Sequence, residues 1–294
     1  MLEETVNTTC VFTVIYPAAE AFLPTFVKSL VDQDKNDFDL LVINDGVRNA
    51  QDFFNHLGDQ VKIVDFSSDK PAIRAFGFDL LKQSAYEHVI FADSDDFIAP
   101  NRVSNNIKLL SKYDLVCNEL RVVNTEGAVL EEAYLSKRLR DGQLLTIEDI
   151  RNKNVLGLGN TAVRKQHLWK SEFPTDMLAV DWYFFSRMLV IGAKAVFTAD
   201  TWSAYRQHAQ NTVGFTRITE ERITRAFEVQ LKHYQLLASE DSFYLERQGN
   251  LRNTYDLYRG DKEFRKKYLK RITEILKFPL WWEEAKTIDE LYED

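Results

Sequence analysis

Short apolar runs alternate with amphipathic stretches through the first 120 residues. Residues 11–16, 40–43, 61–66 and 89–92 each read as a buried strand, while Phe22, Phe26, Val27, Leu30 and Val31 recur at helical spacing after the first. Pro24 fits that helix because it falls in the first turn, where its missing amide would have had no partner. A second helix is expected over 71–84 and a fifth strand over 113–123. Strands that alternate with helices in this way predict βαβ units and an α/β, mostly parallel sheet flanked by helices. Beyond this the pattern is less regular: 130–175 reads as loops with short elements, 179–190 as a helix, 195–198 as a strand, and nearly everything from Ile218 as helix. The expectation is an α/β domain over 1–215 and a C-terminal helical region over 216–294, with no internal repeat.

Composition narrows what such a chain can do. Of 294 residues 45% are hydrophobic and 13% aromatic, which excludes disorder for the bulk of the chain. The 45 Asp and Glu outnumber the 37 Lys and Arg, giving a formal charge of -8, so a broad nucleic-acid footprint is excluded. A phosphate ligand would need a metal or a local basic patch. Cys10 and Cys117 form no disulfide framework, and no Cys/His set has zinc-ligand spacing. The N-terminal ten residues lack the basic and apolar regions of a signal peptide, and no apolar stretch is long enough to span a bilayer. A cytoplasmic protein is expected.

The acidic residues are placed rather than scattered. Asp45 follows the second strand, Asp69 follows the third, and Asp93, Asp95 and Asp96 follow the fourth in the run Phe91-Ala92-Asp93-Ser94-Asp95-Asp96. Ligands of an open parallel sheet bind outside the carboxyl ends of its strands, so these turns should line one cleft. Asp45 also suits a turn before Gly46, and the Asp93–Asp96 run suits a helix cap. Three carboxylates in four residues, however, repel one another unless a cation sits among them. Mg²⁺ and Mn²⁺ take one or two protein carboxylates and complete their shells with water and substrate phosphates, which makes such a cluster a diphosphate holder. Gly157-Leu158-Gly159 lacks the third glycine and the strand-turn-helix context of a nucleotide-binding loop, and reads as loop flexibility.

Several motifs in order give these residues a resemblance. FTVIYP at the first strand, SLVDQD at the end of the first helix, LLVINDG at the second strand, PAIRAFGFDLL before the fourth, FADSDD after it and YRQHAQNTVG near residue 210 together resemble the family 2 nucleotide-diphosphosugar glycosyltransferases, inverting enzymes of the GT-A fold, over residues 10–215. The resemblance implies a nucleotide diphosphosugar donor, a glycan or lipid-linked acceptor, and Mn²⁺ or Mg²⁺ as cofactor. It assigns Asp45 to the nucleotide base, Pro17 and Ala18 to the loop beside that base, and Arg74 and Arg206 to the donor. Asp93 and Asp95, with Ser94 between them, become the ribose- and metal-directed D-x-D element, and His208 closes on the diphosphate or metal. Inverting transfer needs one base on the acceptor side. Asp181 matches the Asp of the family's Glu-Asp pair, with Val180 where the Glu would be, and Asp176 is the second choice. UDP is the carrier implied, with dTDP-rhamnose as the alternative. A sugar-nucleotide pyrophosphorylase is disfavoured because Pro17-Ala18-Ala19-Glu20 is no glycine-rich phosphate loop. A silent, glycosyltransferase-like scaffold would have lost the acids that this chain keeps.

The C-terminus poses a separate question. Residues 259–282 carry a net charge of +5 and residues 283–294 a net charge of -5. Phe264, Tyr268, Ile272, Ile275 and Leu276 share one helix face, followed by Trp281-Trp282. A basic amphipathic helix of this kind can rest on an anionic membrane, placing the protein at the inner face of the plasma membrane. Its apolar face can equally pack on the protein itself or on a second copy in a homo-oligomer.

Overall fold

The computed structural model describes residues 7–169, 172–208 and 218–292. In chain order the strands and helices are β1 (Thr9–Ile15), α1 (Leu23–Val31), β2 (Asp39–Asn44), α2 (Ala50–Phe54), β3 (Val61–Asp65), α3 (Lys70–Gln83), β4 (His88–Phe91), α4 (Arg102–Leu110), β5 (Leu115–Val123), β6 (Val129–Glu131), β7 (Leu144–Leu145), α5 (Ile147–Ile150), β8 (Thr161–Arg164), α6 (Val180–Val190), β9 (Ala195–Arg206), α7 (Glu220–Leu237), α8 (Ser242–Gly260), α9 (Lys262–Ile275) and α10 (Ile288–Tyr292). They divide into two compact units that interleave along the sequence. The first comprises residues 1–145, 156–176 and 193–206, and the second residues 146–155, 177–192 and 207–294. The expected boundary near residue 215 lies outside the described residues.

The first unit holds a nine-stranded sheet in the order β3-β2-β1-β4-β8-β5-β9-β7, with β6 paired to β5. β3, β2, β1 and β4 are parallel. All seven residues of β1 are buried, as expected of a strand covered on both faces. β8 then enters antiparallel between β4 and β5, while β5 and β9 run parallel. The sheet is thus parallel in its first half and mixed in its second. Strand order reverses direction about β1, so β1 and β4 flank the switch point at which open α/β sheets bind ligands. Phe26, Val27 and Leu30 of α1 and Val103 and Leu110 of α4 pack with Val11, Leu40, Val42 and Ile90 of the sheet in one apolar core.

The second unit is helical. Its core gathers Ile223, Phe227, Leu231 and Tyr234 of α7, Leu251, Tyr255 and Tyr258 of α8, and Tyr268 and Ile272 of α9. Phe227 lies at the centre, with ring centroids 5.0 Å from Tyr255 and 5.5 Å from both Tyr258 and Tyr268. The apolar face of α9 therefore packs on its own unit. Trp281 and Trp282, which the membrane reading needs at the surface, are buried at 8% and 5% exposure. The apolar stripe of residues 259–282 expected to face lipid is packed into the protein core. Among the described residues no helix is long and apolar enough to cross a membrane.

Candidate active site

The acidic turn forms because β4 ends at the switch point and the next residues are anchored individually. Ser94, buried, donates from Oγ to the Val14 carbonyl of β1 (2.8 Å), and the Asp96 amide donates to the Asp93 carbonyl (3.2 Å). Asp95 Oδ2 accepts from the Tyr16 hydroxyl (2.8 Å), and Asp96 Oδ1 from the Arg206 amide (2.7 Å). Asp93 Oδ1 lies 3.4 Å from Arg74 Nη2. The structure thus gathers Asp93, Ser94, Asp95, Asp96 and Arg74 at one strand end.

The electrostatics of this turn are unbalanced. Desolvation, then the other two carboxylates, raises Asp96 well above the ordinary range against the Arg206 amide and guanidinium. Desolvation also raises Asp93, reinforced by Asp95 and opposed by Arg74, Arg102 and Lys70. The Tyr16 phenol is raised by burial and by Asp95, so it stays a hydrogen-bond donor. Among the described residues no three His, Cys, Asp or Glu side chains are drawn together as a preformed cluster. The donor set nevertheless fits a hard divalent ion: it is all oxygen, and burial with mutual repulsion pushes Asp93 and Asp96 upward. A Cβ built on Gly159 would fall 2.8 Å from Asp93 Oδ2 and 3.6 Å from Asp96 Oδ2. Gly159 is therefore a steric requirement of the acidic turn, which corrects its reading as loop flexibility.

Two arginines brace the turn. Arg206, buried, donates through Nε to the Asp95 carbonyl (2.8 Å) and through Nη1 to the Thr125 carbonyl (2.7 Å), with its guanidinium over the Phe22 and Phe97 rings. This guanidinium holds the backbone of the turn. Arg102, which sequence reasoning missed, is fully buried at the start of α4. It donates to Asn118 Oδ1 (2.9 Å) and to the Phe91 carbonyl (2.7 Å), and Nη1 makes no hydrogen bond among the described residues. Burial lowers it to about 9, opposed by Asp93 and Asp96. It stands with Val103, Asn106 and Leu110 among the buried positions of α4.

The other sequence candidates fall into three settings. Asp45, half-buried, follows β2, and its amide donates to the Ile15 carbonyl (2.8 Å). Gly46 beside it has φ +89°, and a Cβ there would meet Pro17 Cγ at 3.9 Å, so the Asp45 turn and the exposed Pro17-Ala18 loop are neighbours. Asp69, expected in the same cleft, is the N-cap of α3, accepting from the Ala72 amide (2.8 Å). Asp181 lies in the second unit, in the first turn of α6, where the helix dipole favours an anion. Its Oδ1 accepts from the Trp182 amide (2.8 Å) and its Oδ2 from Asn154 Nδ2 (3.3 Å). Asp176 is exposed in the loop before α6. His208, half-buried, also belongs to the second unit. Asn211 and the rest of the YRQHAQNTVG motif from Ala209 lie outside the described residues.

A match to Glycosyl transferase family 2 spans residues 10–209, two thirds of the chain. The chain belongs to glycosyl transferase family 2. No curated protein matches it. Among solved structures, this family 2 chain is similar to S. aureus TarS residues 1–349 in complex with UDP-GlcNAc, at 15% identity and TM-score 0.62, covering 92% of this chain and 80% of that one. It is also similar to the mannosyltransferase PcManGT from Pyrobaculum calidifontis in complex with GDP-Man and Mn²⁺, at 14% identity and TM-score 0.55, covering 80% and 64%. GalNAc-T7 with UDP, GalNAc and Mn²⁺ is similar at 12% identity and TM-score 0.58, covering 90% and 55%. These likenesses establish a GT-A fold for the family 2 chain, with its acidic turn at the end of β4.

Proposed function

We propose that this protein is a metal-dependent, inverting glycosyltransferase that moves one sugar from a nucleotide diphosphosugar to a hydroxyl of a surface polysaccharide or glycoconjugate. UDP is the carrier favoured, and dTDP-rhamnose is the alternative donor. The observation that carries the reading is the crowded Asp93–Asp96 turn at the carboxyl end of β4 in a family 2 chain. Mn²⁺ or Mg²⁺ held by Asp93 and Asp95, with His208 as a further ligand, would supply Lewis-acid stabilisation of the departing diphosphate. Asp45, Pro17 and Ala18 take the nucleotide base, and Arg74 and Ser94 support the donor. Arg206, assigned to the donor by resemblance, acts on it through the backbone of the acidic turn that it holds.

The acceptor hydroxyl attacks the anomeric carbon, its oxygen forming the new bond as the bond to the diphosphate oxygen breaks. Asp181 takes the hydroxyl proton as this happens. Single displacement inverts the anomeric centre, and no second nucleophilic carboxylate is needed. A thermal-shift screen of nucleotide sugars with and without Mn²⁺ tests the reading. One class of nucleotide sugar should raise the unfolding midpoint only when Mn²⁺ is present, and a full panel without a metal-dependent shift would sink it.

A further inference from the structure

The second unit contains a chain of contacts that ends on Asp181. Asn154 is fully buried, and its side-chain amide donates to Asp181 Oδ2 (3.3 Å). Its backbone amide donates to the Trp281 carbonyl (2.8 Å), and the two residues form an isolated antiparallel bridge. The neighbouring turn is equally constrained. Trp282 has φ +66°, a left-handed conformation that a bulky side chain adopts only where its surroundings over-determine it. Its carbonyl accepts from Gln230 Nε2 (2.7 Å), and the same nitrogen donates to the Asn152 carbonyl (3.0 Å). Gln230 is itself fully buried and accepts from the Tyr234 hydroxyl (2.8 Å). One glutamine of α7 thereby joins the loop carrying Asn154 to the Trp281-Trp282 turn. At the end of α5, just before that loop, the Ile150 carbonyl accepts from Trp182 Nε1 (2.7 Å), and the Trp182 ring stacks on His233 at 3.9 Å.

We propose that Asn154 is a positioning residue for Asp181, and that the Trp281-Trp282 turn is the strap that holds Asn154 in place. The inference deepens the proposed function and rests on Asp181 being the acceptor-side base. Two donors from different directions, the Trp182 amide and the Asn154 amide, fix both the plane and the rotamer of a half-exposed carboxylate. A carboxylate left to rotate would lose much of the proton-transfer geometry on which a base depends. The strap also accounts for two tryptophans being buried at the end of a basic helix: they belong to the support of the site.

The test uses the full chain labelled with ¹³C-aspartate, with the Asp181 carboxyl signal identified by its loss in Asp181→Asn. The pH titration of that signal is followed in the unmodified protein, in Asn154→Ala and in the nearly isosteric Asn154→Asp. A hydrogen bond to the ionised form favours ionisation, so Asn154→Ala should raise the Asp181 midpoint by about one pH unit. Asn154→Asp, which places a second carboxylate in its stead, should raise it at least as far and keeps the inference testable should the alanine variant fail to fold. Gln230→Met should give a smaller shift in the same direction, because it frees the strap without removing the donor. An Asp181 midpoint unchanged in the folded Asn154 variants overturns the inference. Sugar transfer retained by Asp181→Asn would instead overturn the base assignment and leave the Asn154 measurement standing.

Discussion

The two units differ in how their most crowded and most tightly paired acids are partnered. In the helical unit three carboxylates beneath the surface meet a guanidinium: Arg247 grips Glu290 through two bonds (2.5 and 2.6 Å), Arg151 meets Asp241 (2.7 Å), and Arg222 meets Glu284, which burial nonetheless raises. Arg247 holds Glu290 below the ordinary carboxylate range despite its burial, and the Phe243 amide together with Arg151 does the same for Asp241. In the sheet unit three carboxylates share one turn, and Asp93 and Asp96 are pushed upward by burial and by the neighbouring carboxylates. Paired acids hold the helical core together, and the crowded acids of the sheet unit are those that the proposed function gives to a ligand. The difference between them, rather than the number of acids, marks the site.

The largest expected effect lies in the chemistry. Asp181→Asn should keep donor binding and lose at least about a thousandfold in turnover, a scale set by general-base contributions of roughly 10²–10⁴. Turnover within tenfold of the unmodified protein would place the base elsewhere.

The comparison of charges is broken most directly by a matched pair. Glu290→Gln removes one partner of a largely buried ion pair and should destabilise the fold by about 3 kcal/mol. Asp93→Asn should raise the metal-free thermal midpoint, because it relieves a carboxylate that burial and Asp95 disfavour. Destabilisation by both would show that the acidic turn is as structural as the Arg247 pair. A smaller effect is expected from Gly159→Ala. Its methyl group meets the Asp93 carboxylate, so Mn²⁺ affinity read by electron paramagnetic resonance should fall about tenfold, roughly 1.4 kcal/mol, with the fold retained.

His233 provides a pH signature for the helical unit. Burial against Trp182 lowers it to about 3, from an ordinary value of 6.5. Between those values the unfolded chain binds a proton that the folded protein refuses. Stability should therefore be full above pH 6.5 and fall by about 1.4 kcal/mol per unit as pH drops toward 3. Denaturant titrations of His233→Phe should show a shallower slope over that window. An unchanged slope would assign the acid sensitivity to other groups.

How much of this was legible in sequence follows from the physics of each element. β1, β2 and β4 were readable because strands buried on both faces must be continuous apolar runs. The acidic turn was readable because three acids beside such a run have no packing explanation. β8 was not: four residues, Thr161-Ala162-Val163-Arg164, carry too little periodicity to announce a strand inserted between β4 and β5. β9 runs to Arg206 rather than stopping at Thr198, since residues 199–201 interrupt the pairing with β5 and read as a turn, and the strand resumes only where Trp202 meets Glu119. Membership of α6 in the helical unit was hidden as well, because it is set by contacts of residues 146–155 and 177–192 with α7 rather than by local propensity. Gly159 and Asn154 carry no signal of their own, being defined by the carboxylates that fold against them. Trp281 and Trp282 misled, since an exposed aromatic pair and a buried one look alike in sequence.

The central claim is that the Asp93–Asp96 turn binds a nucleotide diphosphosugar through a divalent cation. Calorimetric titration of the nucleotide sugar selected in the thermal-shift screen, with and without Mn²⁺, tests it most directly in the unmodified protein and in Asp95→Ala. The account predicts Mn²⁺-dependent binding that is lost in Asp95→Ala while the variant keeps its thermal midpoint. Binding that survives undiminished in Asp95→Ala would contradict it.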